Sequence, residues 1–564
     1  MRLFRSACSL GGVSLAAAQR VQQPLQQNPA SGTPVQVAII GAGAAGSSAA
    51  YHLSQYAHNA SLPINITIFE SNAYIGGRST TVTAYNLSTT DLESLASPYP
   101  YYTELGASIF VTVNHILVSA VSTFNLSTSD DTPDSPKGHL GQELGIWDGN
   151  VFLLQLDTSY LNGYWSYAKL LYRYGLAPVR TYRAMKSVIS KFLNLYESPI
   201  FPFTSLTAAA QSVGLSAVTA ATGEQYLREN GVTGDFAREI IQASTRVNYA
   251  QNLEYIHGLE AMVCMATEGA MQVQGGNWRI FEAMVEASEA HVRLGERVSG
   301  VKKLDDGTYR VSSRAVVDED AGEEQHRLRE EQDAGVAFDH VVVASPWQYA
   351  NINISPSSSD FRTPEEIPYV QLHVTLFTSP HLLDPDYFNL PKDQAVPQAI
   401  LTTLPDGEPA RTGPEGVGKP GFFSISLLRP LTNPRTGSEE YLYKVFSPAR
   451  ISDEDLTEIL NVDESNSSEA LRGSKKESVT WIYRKMWNSY PYESPRVAFE
   501  DVELGRNVWY TGGMDNFIST METNALMGKN VARLIVDFEE RGVENGKGSE
   551  EEEDAAVGRA QVDL

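Results

Sequence analysis

Val37-Ala38-Ile39-Ile40-Gly41-Ala42-Gly43-Ala44-Ala45-Gly46 decides the fold of this 564-residue chain. Residues 37–40 read as a buried parallel strand, and Ser47–Gln55 continues with small and apolar residues at helical spacing. The segment is therefore a strand, a tight turn and a helix. Gly41 permits the turn, Gly43 lets the backbone approach a pyrophosphate, and Gly46 lets the helix pack closely on the strand. Ala44 and Ala45 fall in the first helical turn, whose amides favour phosphate. Ile64–Phe69 is a second strand. Glu70, 24 residues beyond Gly46, stands where a dinucleotide fold places the acid that accepts hydrogen bonds from a ribose.

Working outward, Ile75-Gly76-Gly77-Arg78 combines two glycines that allow close backbone approach with an arginine offering fixed donors to phosphate. This segment resembles the second FAD contact of the amine-oxidase-like flavoprotein superfamily. The resemblance implies FAD as the cofactor and extends to four further places. Glu104-Leu-Gly106-Ala-Ser108-Ile-Phe110 is similar to the segment that passes beside the flavin, with Ser108 as a contact. Glu296-Arg-Val298 is expected to end a strand where the valine backbone meets adenine. Phe338–Val343 is an apolar strand followed by a turn. Val508-Trp-Tyr510-Thr-Gly512-Gly513-Met-Asp515, with Thr520-Met521-Glu522, resembles the closing FAD motif, with Gly513 and Glu522 as contacts and a helix N-terminus beneath the isoalloxazine, favouring negative charge there.

Length and composition agree with a two-domain α/β enzyme: the chain exceeds one typical core, and 42% hydrophobic residues allow large ones. The fold expected is a Rossmann-type FAD-binding domain, discontinuous over 34–115, 255–350 and 495–540, with a mixed α+β substrate domain from 116–254 and 351–494. No apolar run approaches a membrane span. A formal charge of −25 speaks against nucleic acid as a partner. Much of the acid lies in Asp318–Asp333, expected as an inserted loop, and in the tail 541–564, whose Glu550–Asp554 run is expected to be disordered.

Arg2 and Arg5 precede the modestly apolar Ala7–Ala18, which ends in small residues like a cleavable secretory signal over 1–18. The arginines, the serines and the lack of any acid before Glu70 also suit a mitochondrial presequence. Sequons at Asn59, Asn65, Asn86, Asn125, Asn353 and Asn466 favour the secretory route, towards a lysosome, a vacuole or the exterior, although Asn65 falls in a strand. Cys8 lies in the expected signal, which leaves Cys264 alone in an apolar context that reads as a buried structural thiol. The ten histidines do not pair at ligand spacing, so no metal is expected.

The part that chooses the substrate lies between the flavin segments. Leu161–Gly175 and Pro178–Tyr196 read as two helices rich in aromatic and aliphatic residues. Such a surface suits core packing, a cavity for an apolar ligand, or peripheral contact with a membrane, and the residues alone leave all three open. The Arg-Tyr-Gly at 173–175, Arg-Val-Asn-Tyr at 246–249, Gln-Gly-Gly-Asn at 274–277 and Met521-Glu522 resemble the prenylcysteine oxidases, FAD thioether oxidases also called prenylcysteine lyases. The likeness runs from about Val35 to Phe538 and departs at 318–333, Pro405–Glu439 and the acidic tail. It implies an S-farnesyl- or S-geranylgeranyl-cysteine substrate and O2 as oxidant. The allylic carbon bonded to sulfur gives up hydride to flavin N5, water adds there, and the hemithioacetal collapses to prenyl aldehyde and cysteine, with H2O2 from reoxidation. Arg246 is the candidate partner for the cysteine carboxylate, with Asn248 and Tyr249 as polar contacts. A structural ion pair at Arg246 is the competing reading. No catalytic acid or base is evident. An amine oxidase acting on polyamines or aromatic amines, or a non-catalytic prenyl-binding protein, remain as alternatives.

Overall fold

The computed structural model describes residues 33–130, 143–157, 170–316, 332–355, 361–461 and 478–560. The expected signal at 1–18, residues 161–169 of the first aromatic segment and the sequon at Asn466 lie outside them. So does the acidic stretch 318–333 except for its last two residues, which open the strand Gln332–Phe338.

Strand β1 (Val35–Ile40), helix α1 (Ala44–Asn59) and strand β2 (Ile64–Glu70) form the expected unit. β1 pairs in parallel with β2 on one side and with His340–Val343 on the other. The strand His291–Leu294 lies beyond β2, and Val508–Tyr510 lies beyond His340–Val343. The order reverses at β1, as in a doubly wound dinucleotide sheet, whose ligand crevice lies past the carboxyl ends of the strands at that switch point. Val37, Ala38 and Ile39 are fully buried, as a central parallel strand covered on both faces requires.

The two ends of the chain meet on one face of this sheet. The C-terminal helix Met521–Ala560 lies against α1, where small residues allow backbone contact. A Cβ at Gly528 would lie 2.1 Å from the Ala45 carbonyl oxygen, and the Ser48 hydroxyl donates to the Ala525 carbonyl at 2.6 Å. This helix runs from Met521 to Ala560 and takes in the acidic stretch from 541.

A seven-stranded mixed sheet forms the second body, ordered Trp481–Pro491, Tyr369–Ser379, Glu439–Ser447, Ser424–Thr432, Ala399–Thr402, Glu143–Trp147 and Phe152–Asp157. Helices between Ala177 and Ala287 fill the space between the two sheets, and their apolar residues join those of α1 and the C-terminal helix in one core. Glu296-Arg-Val298 opens the strand Glu296–Lys303 where the sequence suggested the end of one. Gly295, at φ +69°, turns the chain just before it, and the preceding strand stops at Leu294.

Candidate functional site

The glycine turn is built by backbone contacts that leave no room for side chains. Gly41 has φ +109°, its N–H donates to the Phe69 carbonyl at 2.8 Å, and a Cβ there would meet the Ala344 oxygen at 2.8 Å. At Gly46 a Cβ would lie 1.9 Å from the Gly41 oxygen, so the helix packs on its own turn. Gly43 is the N-cap of α1, and the first turn has neither a side-chain cap nor an acid. Its free amides are an anion site.

The next glycine pair closes this cradle from the opposite side. The Gly76 amide donates to the Ala42 carbonyl at 2.9 Å, and a Cβ at Gly77 would stand 3.2 Å from Gly43 Cα. Glu70, 4% exposed, accepts from the Ala42 amide at 2.8 Å through one oxygen and from the Asn72 amide at 2.7 Å through the other. Its carboxylate is thus fixed at the tip of β2 beside the turn. The Gly295 amide donates to the Asn72 carbonyl, bringing the chain leading to Val298 to this end of the cradle. Val298 itself is buried and pairs with Ser313 beside a β-bulge.

Arg78, the expected phosphate contact, is anchored by protein partners. Its Nη2 forks onto both oxygens of Asp515 at 3.0 Å, and its Nη1 donates to the Ser489 carbonyl at 2.6 Å. The arginine therefore ties the N-terminal cradle to the C-terminal motif and to the substrate sheet. Burial opposes ionisation of Asp515, but Arg78, with donors from Tyr369 and Ser519, holds its carboxyl below the usual range. Asp515 was not singled out from sequence, and only this contact across the fold reveals its role.

The segment Glu104–Ser108 runs between Arg78 and the substrate sheet: a Cβ at Gly106 would lie 2.9 Å from the Trp487 ring and 3.3 Å from the Arg78 oxygen. Asn277, the last residue of the Gln-Gly-Gly-Asn motif, fastens it. Its amide N–H donates to Glu104 Oε1 at 2.6 Å and its side chain to the Ala107 carbonyl at 2.8 Å. From the other side the Lys444 ammonium donates to the Glu104 carbonyl at 2.8 Å and to Ser108 Oγ at 3.1 Å. Gly512 and Gly513 are fully buried and follow the strand Val508–Tyr510 into the same region.

Glu522, expected as a cofactor contact, caps a helix through its side chain. Its two oxygens accept from the Ile116 and Leu117 amides at 2.9 and 3.0 Å, in the first turn of the helix His115–Thr123, and the Tyr196 hydroxyl donates to it at 2.6 Å. Three donors account for a carboxylate that is 1% exposed.

The three candidates for substrate contact separate. Arg246 is fully buried and all five of its N–H donors are engaged, by Thr402, the Asn252 side chain and the carbonyls of Gly416 and Val417. No donor is left for a substrate carboxylate, and among the described residues no acid forms an ion pair with it, so Arg246 stands as a buried arginine with polar partners and its guanidinium over Phe423. Asn248 is exposed and bonds back to the Ser244 carbonyl. Tyr249 alone reaches the C-terminal motif, donating to the Ser519 carbonyl at 3.2 Å with its ring edge-on to Tyr490 at 5.1 Å. In the Arg-Tyr-Gly motif, Arg173 and the Tyr174 hydroxyl both bind the buried Glu239 carboxylate, a structural clamp. Cys264 is buried, and burial raises its thiol well above the usual range, as a structural cysteine requires.

Buried acids make stability fall as pH rises. Burial raises Glu104 to about 7, and raises Glu260, Glu493 and Glu522 as well. The unfolded chain loses these protons near pH 4.5, so between there and their folded values the folded state binds more protons and is progressively destabilised as pH rises. Buried His52 and His257, lowered to about 4, oppose this only below their unfolded value of about 6.5. Stability is therefore expected to fall between pH 6.5 and 7.5, by up to about 1.4 kcal/mol per pH unit for each acid titrating, and the melting temperature to fall with it. Thermal unfolding across that window checks it; a flat or rising profile contradicts it.

Comparison with known proteins follows the same lines. The family model described as prenylcysteine lyase matches residues 158–544, and that described as an NAD(P)-binding Rossmann-like domain matches 39–120. Farnesylcysteine lyase of Arabidopsis thaliana is 28% identical over 521 residues, covering 89% of this chain and 88% of that protein. Prenylcysteine oxidase 1 of Bos taurus is 25% identical over 536 residues with the same coverage. Among solved structures, a CLA-producing fatty acid isomerase from P. acnes superposes with a TM-score of 0.51 at 13% identity over 88% of this chain and 98% of that one, a likeness of fold alone.

Proposed function

Because the chain belongs to the prenylcysteine lyase family, we propose that it is an FAD-dependent thioether oxidase that cleaves S-prenyl-L-cysteine to prenyl aldehyde, free cysteine and H2O2. The observation that carries the cofactor is the cradle itself. Gly43 and Gly77 approach backbone to backbone over an uncapped helix N-terminus, Glu70 stands at its ribose end, and Arg78 joins it to the glycines of the closing motif. These residues fit an extended dinucleotide, which Glu104–Ser108 and Gly512–Gly513 would hold at its far end. FAD bound there supplies the hydride acceptor.

The chain's own work is positioning. Asn277 and Lys444 hold the segment Glu104–Ser108 from both sides, so that the substrate's allylic carbon meets a fixed surface. The apolar wall of the mixed sheet and the helices packed on it exclude bulk water and receive the prenyl chain. A thiolate leaving group needs little acid assistance, which agrees with the lack of an evident triad. We also assign the protein to the secretory route. The described sequon residues Asn59, Asn65, Asn86, Asn125 and Asn353 are all exposed, a condition that N-glycosylation requires. Among the described residues no helix is long and apolar enough to cross a membrane.

The test is anaerobic. Farnesylcysteine added to FAD-loaded protein is expected to bleach the flavin and release a thiol, whereas putrescine or an aromatic amine leaves it oxidised. Bleaching by the amine and not by the thioether overturns the assignment.

A further inference from the structure

Behind the closing motif lies a group of ionisable side chains that the reaction outlined above does not use. His257, Glu260 and Glu493 are at most 1% exposed, and their ligand-type atoms lie within 4.8 Å of one another. His257-Gly-Leu-Glu260 opens the helix Gly258–Val263, and Glu493 arrives from the chain that leaves the strand Trp481–Pro491. The His257 amide donates to the Glu493 carbonyl at 2.7 Å, and the Glu493 amide donates to Gln251 Oε1 at 2.9 Å. The backbone thus fixes the group, yet His257 Nε2 and all four carboxyl oxygens lack a well-aligned hydrogen bond.

The tautomer of His257 decides what the group holds. Its Nδ1 accepts the Glu260 amide at 3.1 Å as the cap of that helix. An acceptor Nδ1 puts the proton of the neutral ring on Nε2, which faces Glu493 Oε2 at 3.4 Å. A metal ion would need the lone pair of that nitrogen and would break the cap, so the chemistry of the donor set disfavours a cation. Two buried carboxylates at this separation cannot both ionise. The occupant that fits is a proton.

We propose that Glu260 and Glu493 share a proton and, acting through the Tyr249 hydroxyl, accept the proton released when water adds to the substrate carbon. This role rests on the thioether-oxidase reading. The Tyr249 hydroxyl, which donates to the Ser519 carbonyl at 3.2 Å, lies beside Glu260, and Ser519 stands two residues before the C-terminal helix at the closing motif. In the step, the water oxygen forms the C–O bond and loses one proton to Tyr249 as Tyr249 passes its own to the carboxylate. The pair goes from one negative charge to none, and no electrons move.

The groups around the pair keep it protonatable. Burial raises both acids, and the charge of Glu493 raises Glu260 further. Asp515 and Glu500 add negative charge from the closing motif and the segment before it. Arg496 and Arg78 oppose them, His257 is neutral, and Cys264 stays a thiol. Glu260 and Glu493 are positioning residues here, since they act through Tyr249.

FAD-loaded full-length protein is reduced anaerobically with farnesylcysteine, and the infrared difference spectrum and the pH profile are read for wild type, E260Q, E493Q, E260D and Y249F. Wild type is expected to gain protonated-carboxyl absorbance on reduction. E260Q, E493Q and Y249F should lose that gain, with kcat at least tenfold lower, KM within twofold and a displaced pH profile, and E260D should restore part of both. Y249F preserves the buried shape if a Gln variant fails to fold. An unaltered difference band and pH profile in flavin-loaded Y249F, or in both Gln variants, overturns the proposal. A wild-type flavin that farnesylcysteine does not bleach removes the thioether-oxidase reading itself, and this role with it.

Discussion

Gly43→Val is expected to give folded protein without flavin. The Gly43 backbone is extended, at φ −78° and ψ −168°, a conformation open to any residue. The nearest atom to a Cβ there is Gly77 Cα at 3.9 Å, an ordinary contact. The fold therefore accepts a Cβ there, and the branched methyls beyond it crowd the glycine backbone surface that a pyrophosphate must approach. Gly41 and Gly46 differ, because their neighbours would meet a Cβ at 2.8 and 1.9 Å, so changing them damages the turn itself. The expected result is an unchanged circular dichroism spectrum with flavin absorbance reduced at least tenfold per protein. Near-stoichiometric flavin in the folded variant would refute the cradle.

The second large effect is at Arg246. Arg246→Met keeps the aliphatic stem but removes the guanidinium over Phe423 and withdraws five donors at once. The Val417 carbonyl and the side-chain oxygen of Asn252 are left facing an apolar group, while the Gly416 carbonyl keeps the Asn252 Nδ2 donor. Each buried orphan costs about 1–3 kcal/mol, so a loss of at least about 2 kcal/mol is expected. It should be read as a melting temperature several degrees lower, with KM for the substrate unchanged in the protein that remains folded. A stable variant with KM raised tenfold would return Arg246 to the substrate carboxylate.

Arg246 also shows where sequence reasoning stops. An arginine beside Asn and Tyr on a helix suggests a ligand contact, and nothing local says that Thr402, Gly416 and Val417, more than 150 residues away, close around it. Arg78 and Glu522 show the same limit. Their chemistry is legible, but their partners, Asp515 and the helix starting at His115, are chosen by tertiary packing. The glycine turn and Glu70 were legible because their geometry is local: positive φ, backbone approach and a strand end are encoded within about thirty residues. Asn277 and Tyr249 lie between these cases. Their motifs marked them, and only the structure says that one fastens the segment Glu104–Ser108 and the other touches the closing motif. The group of His257, Glu260 and Glu493 passed unnoticed because its third member lies 233 residues beyond the second.

The most direct measurement is the product balance of the FAD-loaded protein with farnesylcysteine in air. H2O2, free cysteine and farnesal are expected in equal amounts for each thioether consumed. Thioether consumed without H2O2, or H2O2 formed without cysteine and aldehyde, would contradict a flavin oxidase that cleaves the prenyl carbon–sulfur bond.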